Sequence, residues 1–72
     1  MEDKVKRIMS DVLNVDIELI NGNFSSENVE NWDSLKHMNL IVALEEEFSM
    51  EFNDEEMIAA ASYNEILDIL SR

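Results

Sequence analysis

Asp33-Ser34-Leu35-Lys36-His37-Met38-Asn39-Leu40-Ile41-Val42-Ala43-Leu44-Glu45-Glu46-Glu47-Phe48 is the run that decides how this chain folds. Stepped at about 100° per residue, Leu40, Ile41, Leu44 and Phe48 fall on one arc, the face that a helix buries in a bundle. Asp33 precedes it, where a carboxylate accepts from first-turn amides and opposes the helix dipole. A helix over about residues 34 to 48 is therefore predicted. Leu35, Met38 and Val42 form a second apolar stripe, set off from the first by Ser34 and Glu45 and bordered on its far side by Asn39 and Glu46. Two apolar faces exceed what one small core requires. Either the helix packs between two neighbours, or the stripe is a docking surface ringed by carboxylates.

Outward from this run the periods change. Val5, Ile8, Met9, Val12 and Leu13 repeat at i, i+3, i+4, i+7 and i+8, which predicts a first helix over about residues 3 to 14. Residues 15 to 33 hold no such period and contain the turn-forming groups Asn21-Gly22-Asn23 and Ser25-Ser26. They read as a long loop, with Ile17, Leu19, Ile20 and Phe24 as apolar anchors against the helices; a short hairpin around Asn21-Gly22 is the alternative. Downstream, Asn53 with Glu56 and Ser62 with Glu65 have the spacing of capping boxes. They open a short third helix and a fourth whose apolar side is Ile66, Leu67, Ile69 and Leu70, joined by a link, Ala59-Ala60-Ala61, small enough to pack closely. The fold class is all-α.

Composition narrows the function. The 72 residues, enough for one small domain, carry 17 acidic and 5 basic side chains, a net charge of −12. With 46% hydrophobic residues, one Gly and no Pro, the chain is too apolar and too poor in breakers for a disordered acidic tail. So short a chain has little room for an enclosed active site and its supporting shell, so the expectation is a protein without catalysis of its own. Cysteine is absent and histidine occurs once, which removes thiolate nucleophiles and the ligand set of a usual zinc site. The opening MEDKVKRIMS lacks the apolar core of a signal peptide, and nothing approaches the ~20 apolar residues that span a bilayer. A cytoplasmic monomer is expected. Between Glu27 and Glu56 ten acids face Lys36 alone, a balance that repels nucleic acid and anionic membranes and favours basic proteins as partners.

Ser34 stands at the start of the central helix with His37 three residues on, within side-chain reach. As a hydrolase pair they lack a nucleophile elbow, an orienting third residue and an oxyanion hole, and His37 falls on the core arc. Glu45, Glu46 and Glu47 solvate the end of the helix or rim the docking stripe. Neither the Asp16 to Asn23 stretch nor Asp54-Glu55-Glu56 has the order of a calcium loop, so no metal site is expected.

At Trp32-Asp33-Ser34-Leu35, followed by Ala43-Leu44-Glu45-Glu46-Glu47-Phe48 and Asn53-Asp54-Glu55-Glu56, the chain resembles the acyl carrier proteins along nearly its whole length. The resemblance implies an antiparallel four-helix bundle with a long loop after the first helix and a shortened third helix, the whole of 1–72 forming a single carrier domain. It implies a 4′-phosphopantetheine group, donated by coenzyme A and attached by a phosphopantetheinyl transferase through a phosphodiester to Ser34, with Asp33 as the cap beside it. The thiol of such an arm holds acyl groups as thioesters and takes them between enzymes of a fatty-acid, polyketide or other specialised pathway. Leu35, Lys36, Met38, Asn39, Val42, Glu45 and Glu46 would meet basic-rimmed enzymes, with Met38 placed to face either the arm or its cargo. Lys36 and Asn39 replace acids common in fatty-acid-synthesis carriers, Asn31-Trp32 replaces a Gly-containing lead-in, and Asn53 stands where proline is common. These departures point to a specialised pathway. A peptidyl or aminoacyl carrier is the near neighbour, and an unmodified acidic module that binds a basic protein is the alternative from another class.

One expectation follows from charge alone. Net negative charges on so small a body repel one another, and screening relieves the compact state more than the expanded one. The thermal midpoint should rise with moderate salt or millimolar magnesium, measured by circular dichroism; a midpoint that stays flat or falls would show that self-repulsion is not a major strain on the fold.

Overall fold

Each helix begins at a side-chain or backbone cap and ends where the backbone turns away. In the computed structural model, which describes residues 1–71 and leaves Arg72 outside them, α1 spans Glu2–Leu13 and buries Val5, Met9 and Leu13 completely, with Ile8 and Val12 at the margin of the core. It stops because Asn14 adopts the left-handed conformation (φ 56°, ψ 50°), returning its N–H to the Ser10 carbonyl. Asparagine tolerates that geometry better than most residues. α2 spans Ser34–Phe48, and Asp33 Oδ1 accepts from Lys36 N at 2.8 Å. Leu40, Ile41 and Leu44 are fully buried, Phe48 packs at the edge of the core, and Ser49 ends the helix with φ 51°.

α3, Asp54–Ala59, opens with the expected reciprocal box: Glu56 N donates to Asn53 Oδ1 at 2.8 Å and Asn53 N to Glu56 Oε1 at 3.0 Å. α4, Tyr63–Leu70, is capped by Ser62 Oγ, which accepts from Glu65 N at 3.1 Å. Here the box closes differently from expectation, the Ser62 hydroxyl donating to Glu65 Oε1 at 3.4 Å. α1 and α2 pack against each other, and Tyr63 and Ile66 of α4 join their core. The chain is all-helical, a four-helix bundle with extents of 25 × 23 × 18 Å and no strand among the described residues. No helix among them is long and apolar enough to cross a membrane.

The long connection between α1 and α2 holds one turn of 3₁₀ helix, Ile17–Leu19, and no hairpin. Its anchors are Ile20, Phe24 and Trp32, all buried, whereas Ile17 and Leu19 are exposed. Burying a large apolar side chain is worth ~1.5–3 kcal/mol, so the three anchors offset part of the entropy lost in ordering the loop, about 1–2 kcal/mol per residue. The loop is also stitched to the start of α4. Ser26 N donates to the Ala61 carbonyl at 2.8 Å, Tyr63 N to that of Phe24 at 3.0 Å, and Asn64 Nδ2 to that of Gly22 at 3.1 Å. Helix α3, by contrast, buries none of its own side chains, and it is suspended between the buried Phe52 before it and the buried Ala60 after it.

Tyr63 makes this packing sensitive to alkali. Its ring is buried beneath the Lys6 ammonium, which lies 5.7 Å from the ring centroid, and its hydroxyl donates to Glu2 Oε1 at 3.5 Å. Burial first, and then the Glu2 carboxylate, push the phenol above its ordinary range. A group whose folded value is raised contributes stability that is complete below its unfolded value and is lost as pH rises through the folded one. Stability should therefore fall above about pH 10, and Tyr63→Phe should flatten that part of the profile, read as the thermal midpoint against pH.

Candidate functional site

The Asp33 cap starts α2 at Ser34. The helical ladder begins one turn on, where His37 N donates to the Asp33 carbonyl at 2.8 Å. The Ser34 and Leu35 amides precede it, at the end of the helix that favours negative charge. Ser34 itself is exposed. Beside it opens a groove of about 690 Å³ whose lining includes Trp32, Ser34, His37, Met38, Met57 and Ile58. Trp32 belongs to the end of the loop and Met57 and Ile58 to α3, so loop and helix form the two walls.

The second stripe of α2 is open to solvent: Leu35 is 70% exposed, and Met38 and Val42 are each 47% exposed. Among the described residues no further helix covers it, which favours the docking reading over the packed one. Asn39 and Glu46 are exposed beside it. Ile58, 80% exposed on α3, adds an apolar side chain at the groove that sequence reading missed. A helix of six residues is too short to show a period, and only its proximity in space to Met38 reveals the role.

Two residues expected on the rim are turned inward. Lys36 is half-buried, and its Nζ donates to the Val12 carbonyl at 3.4 Å. α1 has no basic residue in its last turn, so α2 supplies the cation that its C-terminal carbonyls favour. Glu45, also half-buried, accepts from Phe52 N at 2.8 Å through Oε2 and so ties the entry of α3 to α2. Of the seven rim positions, Leu35, Met38, Asn39, Val42 and Glu46 remain available as surface.

His37 is half-buried and bound on both sides. Trp32 Nε1 lies 3.0 Å from its Nδ1, and its Nε2 lies 2.7 Å from the Met57 carbonyl oxygen. An indole N–H only donates and a carbonyl only accepts, so the ring is the neutral Nε2–H tautomer, accepting from Trp32 and donating to Met57. Neither nitrogen is left to take a proton from Ser34, and the nucleophile and base of a hydrolase are not assembled. The Trp32 and His37 rings are 6.1 Å apart, and Phe24 lies 5.9 Å from Trp32 on its other side.

Residues 3–70 match the family model described as "phosphopantetheine attachment site". The chain is 41% identical over 69 residues to an acyl carrier protein of Thermosynechococcus vestitus, covering 96% of this chain and 85% of that one. It is 43% identical over 56 residues to an acyl carrier protein of Buchnera aphidicola subsp. Schizaphis graminum, covering 78% and 71%. It is 36% identical over 73 residues to that of Buchnera aphidicola subsp. Baizongia pistaciae, covering 100% and 92%.

The two neighbouring glutamates make a paired test of this geometry. Glu45→Ala should lower stability by about 1–2 kcal/mol, because it leaves the Phe52 amide unpaired beside the core. Glu46→Ala should stay within about 0.5 kcal/mol of the parent, as an exposed substitution does. Urea unfolding of both variants checks the contrast, and equal effects would contradict it.

Proposed function

Because this chain belongs to the acyl carrier protein family, a family of phosphopantetheine-bearing carriers with no catalysis of their own, we propose that Ser34 is the residue that bears the group. The observation that carries this reading is the setting of one hydroxyl. Ser34 is exposed at the first position of a capped helix, is paired with no base, and stands at the mouth of an apolar groove. The residues present fit the group. A phosphodiester on Ser34 brings negative charge to the helix end whose dipole favours it, while Met38, Met57 and Ile58 offer apolar surface beside it. When attached, the group supplies a terminal thiol that holds acyl groups as thioesters, chemistry that a chain without cysteine does not provide itself.

The protein's own part is to present and to be recognised. Asp33 fixes the turn that presents Ser34; Leu35, Met38, Val42 and Ile58 supply the apolar contact to a phosphopantetheinyl transferase and to acyl-processing enzymes. Glu46 and the further carboxylates of α2 and α3 answer basic patches on those enzymes. Charge of this kind steers encounter and selects partners more than it adds affinity. With Lys36 drawn to Val12, the specialised-pathway reading rests at the rim on Asn39, which withholds a charge where fatty-acid-synthesis carriers commonly place one. A monomer in the cytoplasm completes the proposal.

The test is intact mass after incubation with coenzyme A and a broad-specificity transferase. The parent should gain one phosphopantetheine, and Ser34→Ala should gain none while keeping its stability within about 0.5 kcal/mol. Undiminished modification of Ser34→Ala would move the site elsewhere. No adduct on the parent would favour the unmodified interaction module.

A further inference from the structure

We propose that His37 is a positioning residue for Ser34: its imidazole couples the two walls of the groove, holding Trp32 on the loop side and the Met57 carbonyl on the α3 side, and a proton on Nδ1 uncouples them. The inference rests on Ser34 being the modified residue and deepens that reading.

The case begins with α3. None of its side chains is fully buried: Met57 packs partly against the core, and the buried Phe52 and Ala60 hold only the two ends of the helix. To this limited packing are added bonds at its ends and along its length: Phe52 N to Glu45 at the entry, Ser26 N to the Ala61 carbonyl beyond the exit, and between them His37 Nε2 to the Met57 carbonyl at 2.7 Å. The same imidazole accepts the indole N–H of Trp32 at 3.0 Å. His37 lies one turn into α2 from Ser34, so a rigid helix carries both the modified hydroxyl and the ring that gathers the walls around it. The linkage spans three separate segments of the chain through one side chain.

Its chemistry is polar in a specific sense. Only the neutral Nε2–H form serves both neighbours. A proton on Nδ1 turns that nitrogen into a donor facing the donor of Trp32, so this bond is lost, while the bond to Met57 becomes charge-assisted and tightens. The charged groups that line the groove with His37 are Asp33, from the end of the loop, and Asp54, from the first turn of α3; the link before α4 contributes the uncharged Ala61. Acidification thus releases the Trp32 wall and keeps α3 in place. Trp32 and His37 are the only tryptophan and histidine in the chain, which makes each directly readable.

The experiment has two arms. In the first, Trp32 emission of the unmodified protein is followed between about pH 5 and 8, where imidazoles change charge, alongside the ring ¹⁵N resonances of His37. The expected result is one shared transition, with an Nε2–H tautomer above it; His37→Gln, whose amide offers an acceptor and a donor but no titration, should show flat emission. Flat emission in the parent, or an Nδ1–H tautomer, overturns the proposal. In the second arm, the kinetics of phosphopantetheine transfer are measured. His37→Leu should lower kcat roughly ten-fold with a smaller change in KM, since the Leu35, Met38 and Val42 stripe on α2 is intact while Ile58 on α3 and the alignment at Ser34 are loosened, and His37→Gln should recover part of it. A His37→Leu variant with the parent's kcat overturns the proposal. Should that variant fail to fold, Trp32→Phe takes its place, with the same fall in kcat expected and an unchanged kcat decisive against. Absence of any adduct on the parent would instead strike the Ser34 assignment and leave the first arm to judge the coupling.

Discussion

The bond from Lys36 N to Asp33 Oδ1, 2.8 Å long, sets the starting point of α2 and hence the phase of every side chain along it. Begun one residue later, the helix would still be amphipathic, but the chain entering it would bring Ser34 and Trp32 to different places. With the cap where it is, Leu40, Ile41 and Leu44 close onto α1, Ser34 faces solvent, and Leu35, Met38 and Val42 run down an open flank. A cap of this kind contributes only about 1 kcal/mol, yet register depends on it more than stability does.

A chain with so few cations uses them sparingly. Lys36 interrupts a long acidic stretch, and its ammonium is spent on the C-terminal end of α1 rather than left in the surface field. Glu45, the first in a run of three glutamates, likewise serves Phe52, while Glu46 and Glu47 stay in solvent. Neighbours in sequence thus divide into one that builds the scaffold and others that shape its potential. The surface that a partner meets is more uniformly acidic than the sequence suggests, because the lone intervening cation is half withdrawn from it.

Features governed by local chemistry were legible from residue order. α1 and α2 lie within a residue of their expected bounds and α3 and α4 open at their expected caps, because Asp33, Asn53 and Ser62 act on amides three positions away, and Asn14 and Ser49 turn the chain with their own backbone. The exposed stripe and the presentation of Ser34 follow from the same periodicity. Features that depend on tertiary closure were not legible. Lys36 and Val12, or His37 and Met57, are far apart in sequence, and neither pairing leaves a pattern in it. Ile17 and Leu19 were expected as anchors on hydrophobicity alone; in an aperiodic segment nothing phases a side chain, and the 3₁₀ turn directs both outward while Ile20 takes the core. Trp32, a buried anchor and one wall of the groove, was noted only as part of a motif.

The stitching of the loop to the start of α4 bears on the order in which the molecule is assembled. Ser26 with Ala61, Phe24 with Tyr63 and Gly22 with Asn64 join positions that are made early and late in translation. Closing so long a segment costs chain entropy before any contact repays it. α1 and α2, packed directly together, are joined by a shorter stretch of chain than the loop and α4, and so meet at the smaller cost. The loop, and with it the Trp32 side of the groove, draws its backbone bonds from the start of α4 as well as its apolar anchors from the core. The groove beside Ser34 thus depends on the seam between the loop and α4, at the far end of the chain from α1, whereas the helix beneath its hydroxyl carries its own cap.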